Sequence, residues 1–316
     1  MKVLANDGIS NSGLKKLESN GFEVITKTVS QDNLIDYVNN NNIDALLVRS
    51  ATKVRKDIID GCKSIKLIGR GGVGMDNIDV EYAINKGIKV INTPAASSKS
   101  VAELVFAHLF GCVRYLHSSN RSMPLEGDSK FIELKKSFSK GVELRGKTLG
   151  IVGFGRIGQE VAKIAIGIGM DILVYDLNIN ESLLELSFFD KSTKSFQIKM
   201  INFNDLLAQS DFITLHIPSQ EKYFISEDEL KIMKQGVGII NVARGGLIDE
   251  GALEKFLNTG KVSFAALDTF ENEPNPDIKI LMNSRISLTP HIGAATTEAQ
   301  DRIGLELADQ LINLLG

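Results

Sequence analysis

The chain is poor in the residues that build covalent or metal-held scaffolds. Cysteine occurs only at Cys62 and Cys112, and neither stands in a CxxC pair or a Cys/His cluster. Both read as small buried or neutral residues, so no disulfide framework and no metal site are expected. Excess charge is missing too. The formal net charge is −3, without a basic stripe or a run of like charges, which leaves nucleic-acid and membrane-surface partners without electrostatic support. No stretch of about 20 apolar residues occurs, and the N-terminus MKVLANDGIS lacks the apolar run of a signal peptide. A cytoplasmic protein is the expectation. What remains is ordinary globular composition over 316 residues, a length that fits two domains or one large α/β domain.

Short β-branched runs alternate with helical patterns, which predicts parallel sheets flanked by helices. A first series of strands is predicted at Lys2–Asn6, Glu23–Thr26, Ala45–Val48, Lys66–Ile68 and Lys89–Ile91. A linker follows at Asn92-Thr93-Pro94. Ser100 with Glu103 has the spacing of a capping box, so a long apolar helix is expected to begin at Ser100. Apolar residues cover most of its faces, which predicts burial at a domain or subunit interface. His108 and His117, in or just after it, read as structural or surface residues. The polar stretch Arg121–Lys140 reads as a crossover loop. A second series of strands is predicted at Thr148–Val152, Asp171–Tyr175, Phe212–Leu215, Val237–Asn241, Ser263–Ala266 and Arg285–Leu288, with a final helix after Thr297.

Two stretches match GxGxxG: Gly69–Gly74 and Gly153–Gly158. A dinucleotide site needs a strand before the glycines, a helix opening on them, and an acid at the end of the next strand. The helix N-terminus supplies amides and partial positive charge for a pyrophosphate, and the acid accepts from ribose hydroxyls. The second stretch meets all three conditions. KTLGIVGF precedes it, QEVAKIAIGIG follows, and DILVYD ends on Asp176 after Tyr175. The first stretch runs into MDNID, and its next strand ends on Asn92. Asp176 would repel the 2′-phosphate of NADP, and Leu177-Asn178-Ile179 offers no cation, so NAD is the expected cofactor. Gly153, Gly155, Arg156, Ile157 and Gly158 would form the pyrophosphate loop.

Three further segments end predicted strands with reactive side chains: NVARGGLID (Arg244), LDTFENEP (Glu273) and LTPHIGAATTEAQ (His291). Ligands of open α/β sheets collect at such strand ends. Hydride transfer from a hydroxy acid needs a cation for the carboxylate, a base for the hydroxyl proton and a group that tunes the base. Arginine suits the first task, histidine the second, and a carboxylate that raises the histidine pKa the third. Taken singly, each residue also has an ordinary surface reading.

Together, and downstream of the nucleotide motif, these segments resemble the D-isomer-specific 2-hydroxyacid dehydrogenase family over almost the whole chain. The resemblance implies an α/β fold of two doubly wound parallel-sheet domains. A Rossmann NAD domain, 99–290, would be inserted into a flavodoxin-like substrate domain, 1–98 and 291–316. It also implies His291 as acid/base, Glu273 as its support, and Arg244 on the substrate carboxylate and carbonyl. Further cofactor contacts are implied at His216-Ile217-Pro218, at Val242 and Ala243 near the nicotinamide, at Asp268 on its carboxamide, and at Gly293 and Ala294.

Within the family, RSATKVRKDII, IGRGGVGMDNID, INTPAASSKSVAEL, NVARGGLIDEGAL and PHIGAATTEAQ resemble the branch that oxidises 3-phosphoglycerate to 3-phosphohydroxypyruvate in serine biosynthesis. By that likeness Arg49 and Arg70 bind a small phosphorylated 2-hydroxy acid. Both follow apolar runs and so lie at strand ends. The amides of Gly71, Gly72, Val73 and Gly74 would form a nest for the substrate carboxylate. There are departures: Val73 stands where relatives often carry Thr, Ala96-Ser97 where Gly-Asn is usual, and Phe131 where Trp is common. The chain stops at Gly316, so a serine-binding regulatory domain is not expected. A homodimer is, since the apolar helix and the crossover loop need cover. Two other readings stay open: a family member with an unphosphorylated substrate, such as a glyoxylate/hydroxypyruvate reductase or D-lactate dehydrogenase, and an NAD-sensing scaffold sharing the fold. The absence of long interaction tails favours an enzyme.

Overall fold

The computed structural model describes residues 1–316, which divide into two compact units, Met1–Ser100 with Ala294–Gly316, and Val101–Gly293. In the first unit the strands are β1 (Lys2–Ala5), β2 (Glu23–Ile25), β3 (Ala45–Val48), β4 (Leu67–Arg70) and β5 (Lys89–Asn92). They form one parallel sheet in the order β2-β1-β3-β4-β5. Its helices are α1 (Asn11–Ser19), α2 (Leu34–Asn41), α3 (Lys56–Gly61) and α4 (Val80–Asn85). Both faces of the sheet are covered, so its central strand is continuously apolar. Leu46 and Val48 of β3 enter one core with Leu4 and Ile68, while Ala45 and Leu47 enter the other with Val3 and Leu67.

Helix α5 (Ser98–Val113) begins two residues before the expected position. The turn after Pro94 runs straight into it, with the Ser98 amide donating to the Ala95 carbonyl at 3.4 Å, so Ser100 lies in the first turn and not at a cap. The expected crossover loop is also corrected. Its residues form α6 (Leu116–Glu126) and α7 (Phe131–Ser137). Neither helix buries a residue, so neither carries the apolar periodicity by which a helix is read.

The second unit's strands are β6 (Thr148–Val152), β7 (Asp171–Tyr175), β8 (Glu181–Ser187), β9 (Thr193–Lys199), β10 (Phe212–Leu215), β11 (Val237–Asn241), β12 (Val262–Leu267) and β13 (Ile286–Leu288). Six form a parallel sheet ordered β13-β12-β11-β10-β6-β7. Its helices are α8 (Arg156–Gly167), α9 (Phe203–Gln209), α10 (Glu227–Ile232), α11 (Glu250–Asn258) and α12 (Ile278–Leu281). The pair β8–β9 is an antiparallel hairpin that the sequence patterns do not predict. Leu184 and Leu186 tuck its inner face into the core beside Ile164 and Ile168, and its outer face is polar apart from the exposed Leu183. Both parallel sheets are doubly wound. The order reverses between β1 and β3 in the first unit and between β6 and β10 in the second, and within each unit the loops beyond that strand pair frame a crevice. No helix is long and apolar enough to cross a membrane.

Helix α13 (Thr297–Leu315) returns the chain to the first unit, where Ile303, Leu307 and Leu311 close one core. It lies against α1 so tightly that a Cβ at Gly13 would stand 2.6 Å from the Gly304 carbonyl carbon. Alanine in a helix ordinarily stabilises by about 1 kcal/mol over glycine. Gly13→Ala is expected to do the reverse and cost about 1–3 kcal/mol, because rigid backbone blocks the methyl. Urea denaturation measures it, and a stabilised variant would show that the two helices can separate freely.

Candidate active site

The glycine loop of the second unit is built by three different constraints. Gly153 has φ +93°, in the left-handed region, and a Cβ there would stand 2.5 Å from the His216 carbonyl. A Cβ at Gly158 would collide with the Gly153 carbonyl, so α8 rests directly on the loop. At Gly155, by contrast, no heavy atom lies within 4 Å of the place a methyl would occupy. The glycine there leaves open space in front of α8, whose first amides, on Arg156 and Ile157, have no intrahelical partner. Asp176 follows β7 and accepts from the amides of Phe154 (2.7 Å) and Asn178 (2.9 Å), which leaves acceptor capacity for hydroxyls. The open cradle and the carboxylate beyond it fit a dinucleotide.

Other residues read as cofactor contacts sit around this loop. The Tyr175 ring packs on Phe203 and Phe224, and its carbonyl accepts from Gly153, so both are used by the framework. His216 lies beside Thr214, with Nε2 3.0 Å from the hydroxyl. Burial pushes its pKa down to about 3, which makes it a neutral ring. Ile217 is half-buried and Pro218 exposed.

Beyond β11 the buried Asn241 clamps the next loop. Its side chain accepts from the Ala243 amide (3.0 Å) and donates to the Arg244 carbonyl (2.8 Å). Val242 is buried, and Arg244 donates from Nη1 to the Ala243 carbonyl at 2.6 Å. Asn241 carries no signal in the sequence, since an Asn at a strand end is also an ordinary turn residue.

His291 stands in the left-handed region at φ +54°, which few non-glycine residues adopt. Its amide donates to the Thr289 carbonyl, and Asp268 secures the residues after it. That fully buried carboxylate accepts the Ile292 amide (2.8 Å), the Gly293 amide (2.8 Å) and the Thr289 hydroxyl (2.6 Å). The histidine Nδ1 lies 2.9 Å from Glu273 Oε2, and Glu273 Oε1 accepts the Phe270 amide at 3.0 Å. Thus Arg244, Glu273, Asp268 and His291 all belong to one unit. Ala294 belongs to the other, where its carbonyl accepts from Gln300.

In the first unit, Arg49 follows β3 and Arg70 ends β4, two residues later than the predicted strand end. The Arg49 amide donates to Asp7 Oδ2 (2.6 Å), and Asn77 donates to the carbonyls of Arg49 and Thr52 (2.7 Å each). Asp7 is a positioning group outside every quoted motif, and Asn77 is one within IGRGGVGMDNID to which the sequence assigned no role. The Arg70 guanidinium lies over Gly72. The four-amide nest is corrected. Gly71 donates to the Val48 carbonyl (2.8 Å), continuing the β3–β4 ladder, and Gly72 donates to the Arg70 carbonyl two residues back (3.0 Å) as the chain turns. Only the amides of Val73 and Gly74 remain for a ligand.

Burial opposes charge on Glu273, but the hydrogen bond and charge of His291, the Phe270 amide and Arg244 outweigh it, and the carboxyl sits below its ordinary range. A carboxyl lowered by folding stabilises the fold above its ordinary pKa, and that support drains away as the pH falls through the folded value. Glu273→Gln is therefore expected to melt below wild type at neutral pH and to converge with it in acid. The effect is small, since the side chains are 37–39% exposed. A gap in Tm that stays constant across pH would show that the charge is not what matters.

The geometry has relatives. A family model described as the NAD-binding domain of D-isomer specific 2-hydroxyacid dehydrogenases matches residues 106–293. Hydroxypyruvate reductase of Thermotoga maritima is 42% identical, with 100% of this chain and 98% of that protein aligned. D-3-phosphoglycerate dehydrogenase of Methanocaldococcus jannaschii is 40% identical over 100% of this chain, which spans 57% of that longer protein. The NAD+-bound 3-phosphoglycerate dehydrogenase of Entamoeba histolytica superposes with a TM-score of 0.76 at 29% identity, covering 99% of this chain and 94% of that one. The chain belongs to the D-isomer-specific 2-hydroxyacid dehydrogenases, NAD-dependent oxidoreductases that act on the CH–OH group of 2-hydroxy acids.

Proposed function

We propose that this chain oxidises 3-phosphoglycerate to 3-phosphohydroxypyruvate, with His291 as acid/base, Glu273 as its support and Arg244 on the substrate carboxylate. The observation that carries the chemistry is the 2.9 Å contact between His291 Nδ1 and Glu273 Oε2. With Nδ1–H donating to the carboxylate, the lone pair of the neutral ring is left on Nε2, which accepts the hydroxyl proton as the carbinol carbon is oxidised. Bound NAD supplies the hydride acceptor. Gly153, Gly155, Gly158 and the first amides of α8 hold its pyrophosphate, and Asp176 its ribose. Val242, Ala243 and Gly293 shape the nicotinamide end, where Asp268 has one acceptor position left for the carboxamide. Arg244 supplies a fixed cation for the carboxylate.

The substrate phosphate is assigned to Arg49 and Arg70. Arg49 follows β3 and Arg70 ends the adjacent β4, with Val48 paired to Arg70 in the ladder, and a dianion needs cations beyond Arg244. A second reading, reduction of hydroxypyruvate or glyoxylate, is favoured by the Thermotoga relative, which aligns over nearly its full length. A homodimer is part of the proposal. Helices α6 and α7 expose Leu125 (79%) and Ile132 (82%) together with Leu116 and Phe131, a set that calls for cover. Light scattering in solution should give twice the chain mass, and a monomer would remove this part.

The purified protein should form NADH faster with 3-phosphoglycerate than with glycerate or D-lactate. Arg70→Ala should raise KM for 3-phosphoglycerate roughly tenfold to hundredfold, the scale of one charge-assisted contact, and leave NAD affinity alone. His291→Ala should lower kcat by about 10²–10⁴. An unaltered KM in the first variant would shift the reading to an unphosphorylated substrate, and near-normal turnover in the second would end the acid/base role.

A further inference from the structure

Behind His291 runs a line of single-proton hydrogen bonds whose direction is dictated from one end. Asp268 accepts at both oxygens, and the Thr289 hydroxyl donates to Oδ1 at 2.6 Å. Having given its only proton, Thr289 Oγ must accept from the group on its other side, which is His108 Nε2 at 3.0 Å. Burial pushes the His108 pKa down, against an upward pull from the Asp268 charge, so the ring is neutral and carries one N–H. That proton is on Nε2. Nδ1 therefore accepts, from the Ser287 hydroxyl at 2.8 Å. Cys112 stands one turn further along α5, its thiol pushed up to about 12 by burial and so kept protonated.

Each element contributes by its own period. His108 and Cys112 are four residues apart on α5, about 6 Å along the helix. Ser287 and Thr289 are two apart along β13 and its continuation, about 6.6 Å along the strand. The two rows therefore face each other, and a helix beginning at Ser98 is tied by side chains to the strand that delivers His291.

We infer that His108 is a positioning residue for the reaction proposed above: through Thr289 it aims the hydrogen bonds of Asp268, and Asp268 holds the backbone that presents His291. The inference rests on the acid/base reading of His291 for its effect on rate, but the mechanical link can be measured without turnover.

The test separates polarity from bulk. Glutamine offers an N–H donor and a carbonyl acceptor in place of Nε2–H and Nδ1, whereas methionine fills the space with neither. In His108→Met, and in Thr289→Val, the Ile292 and Gly293 amides should exchange with solvent deuterium about tenfold faster than in wild type, on the scale of one net hydrogen bond. kcat should fall by a similar factor, with KM for NAD within about twofold. His108→Gln and Thr289→Ser should restore both readouts. If His108→Met does not fold, Thr289→Val, nearly equal in volume, carries the test alone. Wild-type exchange and kcat in Met and Val variants that lose only thermal stability would reduce His108 to core filling. Glutamine as poor as methionine would overturn the inference as well. Should the wild type turn over no hydroxy acid, the proposed reaction falls, and the exchange rates still decide whether His108 holds the loop.

Discussion

The buried carboxylate of Asp268 is the interaction on which the second unit's arrangement turns. A carboxylate with no solvent exposure is costly unless donors surround it, and here three converge: the amides of Ile292 and Gly293 and the hydroxyl of Thr289. The same bonds carry the cost of a left-handed histidine, on the order of 1–3 kcal/mol for a sparsely populated backbone state. Released from Asp268, the chain after Pro290 would relax toward an extended conformation, and His291 would leave Glu273. The carboxylate is held by what it holds. Substitutions among Asp268, Thr289 and the loop that follows should therefore be strongly non-additive, as for any group sharing one network.

Parallel topology explains why so much chemistry gathers at one end of each sheet. Every strand runs the same way, so every carboxyl-terminal loop opens on the same side, and the core residues of the strands are free to be apolar throughout. Side chains alternate faces along β12, where Ala265 and Leu267 enter one core and Ala266 the other. In β11 and β12 the buried polar groups stand where the ladder ends, at Asn241 after Ile240 and at Asp268 after Leu267. Asn241 ends β11 by spending its side chain on the loop that carries Arg244. Asp268, its amide bound to the Asn241 carbonyl at 3.0 Å, carries the next loop. The backbone of one strand end thus indexes the other.

What could be read in the sequence was what repeats at short range. The strands, the glycine loop ending on Gly158 and the acid at Asp176 are local patterns, each with its own periodicity or turn chemistry. The hairpin β8–β9 is not announced because its turn, Phe188–Ser192, lacks the Asn-Gly or Asp-Gly pair that marks a tight hairpin. Helices α6 and α7 escaped because a helix without a buried face has no stripe to detect. The Gly71–Gly74 pattern overstates the nest for a different reason. A glycine pattern states where a backbone can bend, but whether an amide is vacant depends on the neighbouring strand, and Val48 takes the first of them. The line from Ser287 through His108 and Thr289 to Asp268 is invisible altogether, since His108 and Ser287 are 179 residues apart in sequence.

The roles proposed above divide between the two units in a way that bears on how members of one family come to differ in substrate. The loop of Arg49 is pinned by Asp7, Thr52 and Asn77, all within the first unit. The loop of His291 is pinned by Asp268 and Thr289, all within the second. Each set of hydrogen bonds closes on its own scaffold, so the cations proposed for a phosphate can be exchanged without loosening the proposed acid/base pair. A relative named for hydroxypyruvate and others named for 3-phosphoglycerate, all near 40% identity to this chain, are what such a division allows. On the proposed roles, substrate range can drift in one unit while the acid/base pair, beside a loop locked to a buried carboxylate in the other, stays where it is.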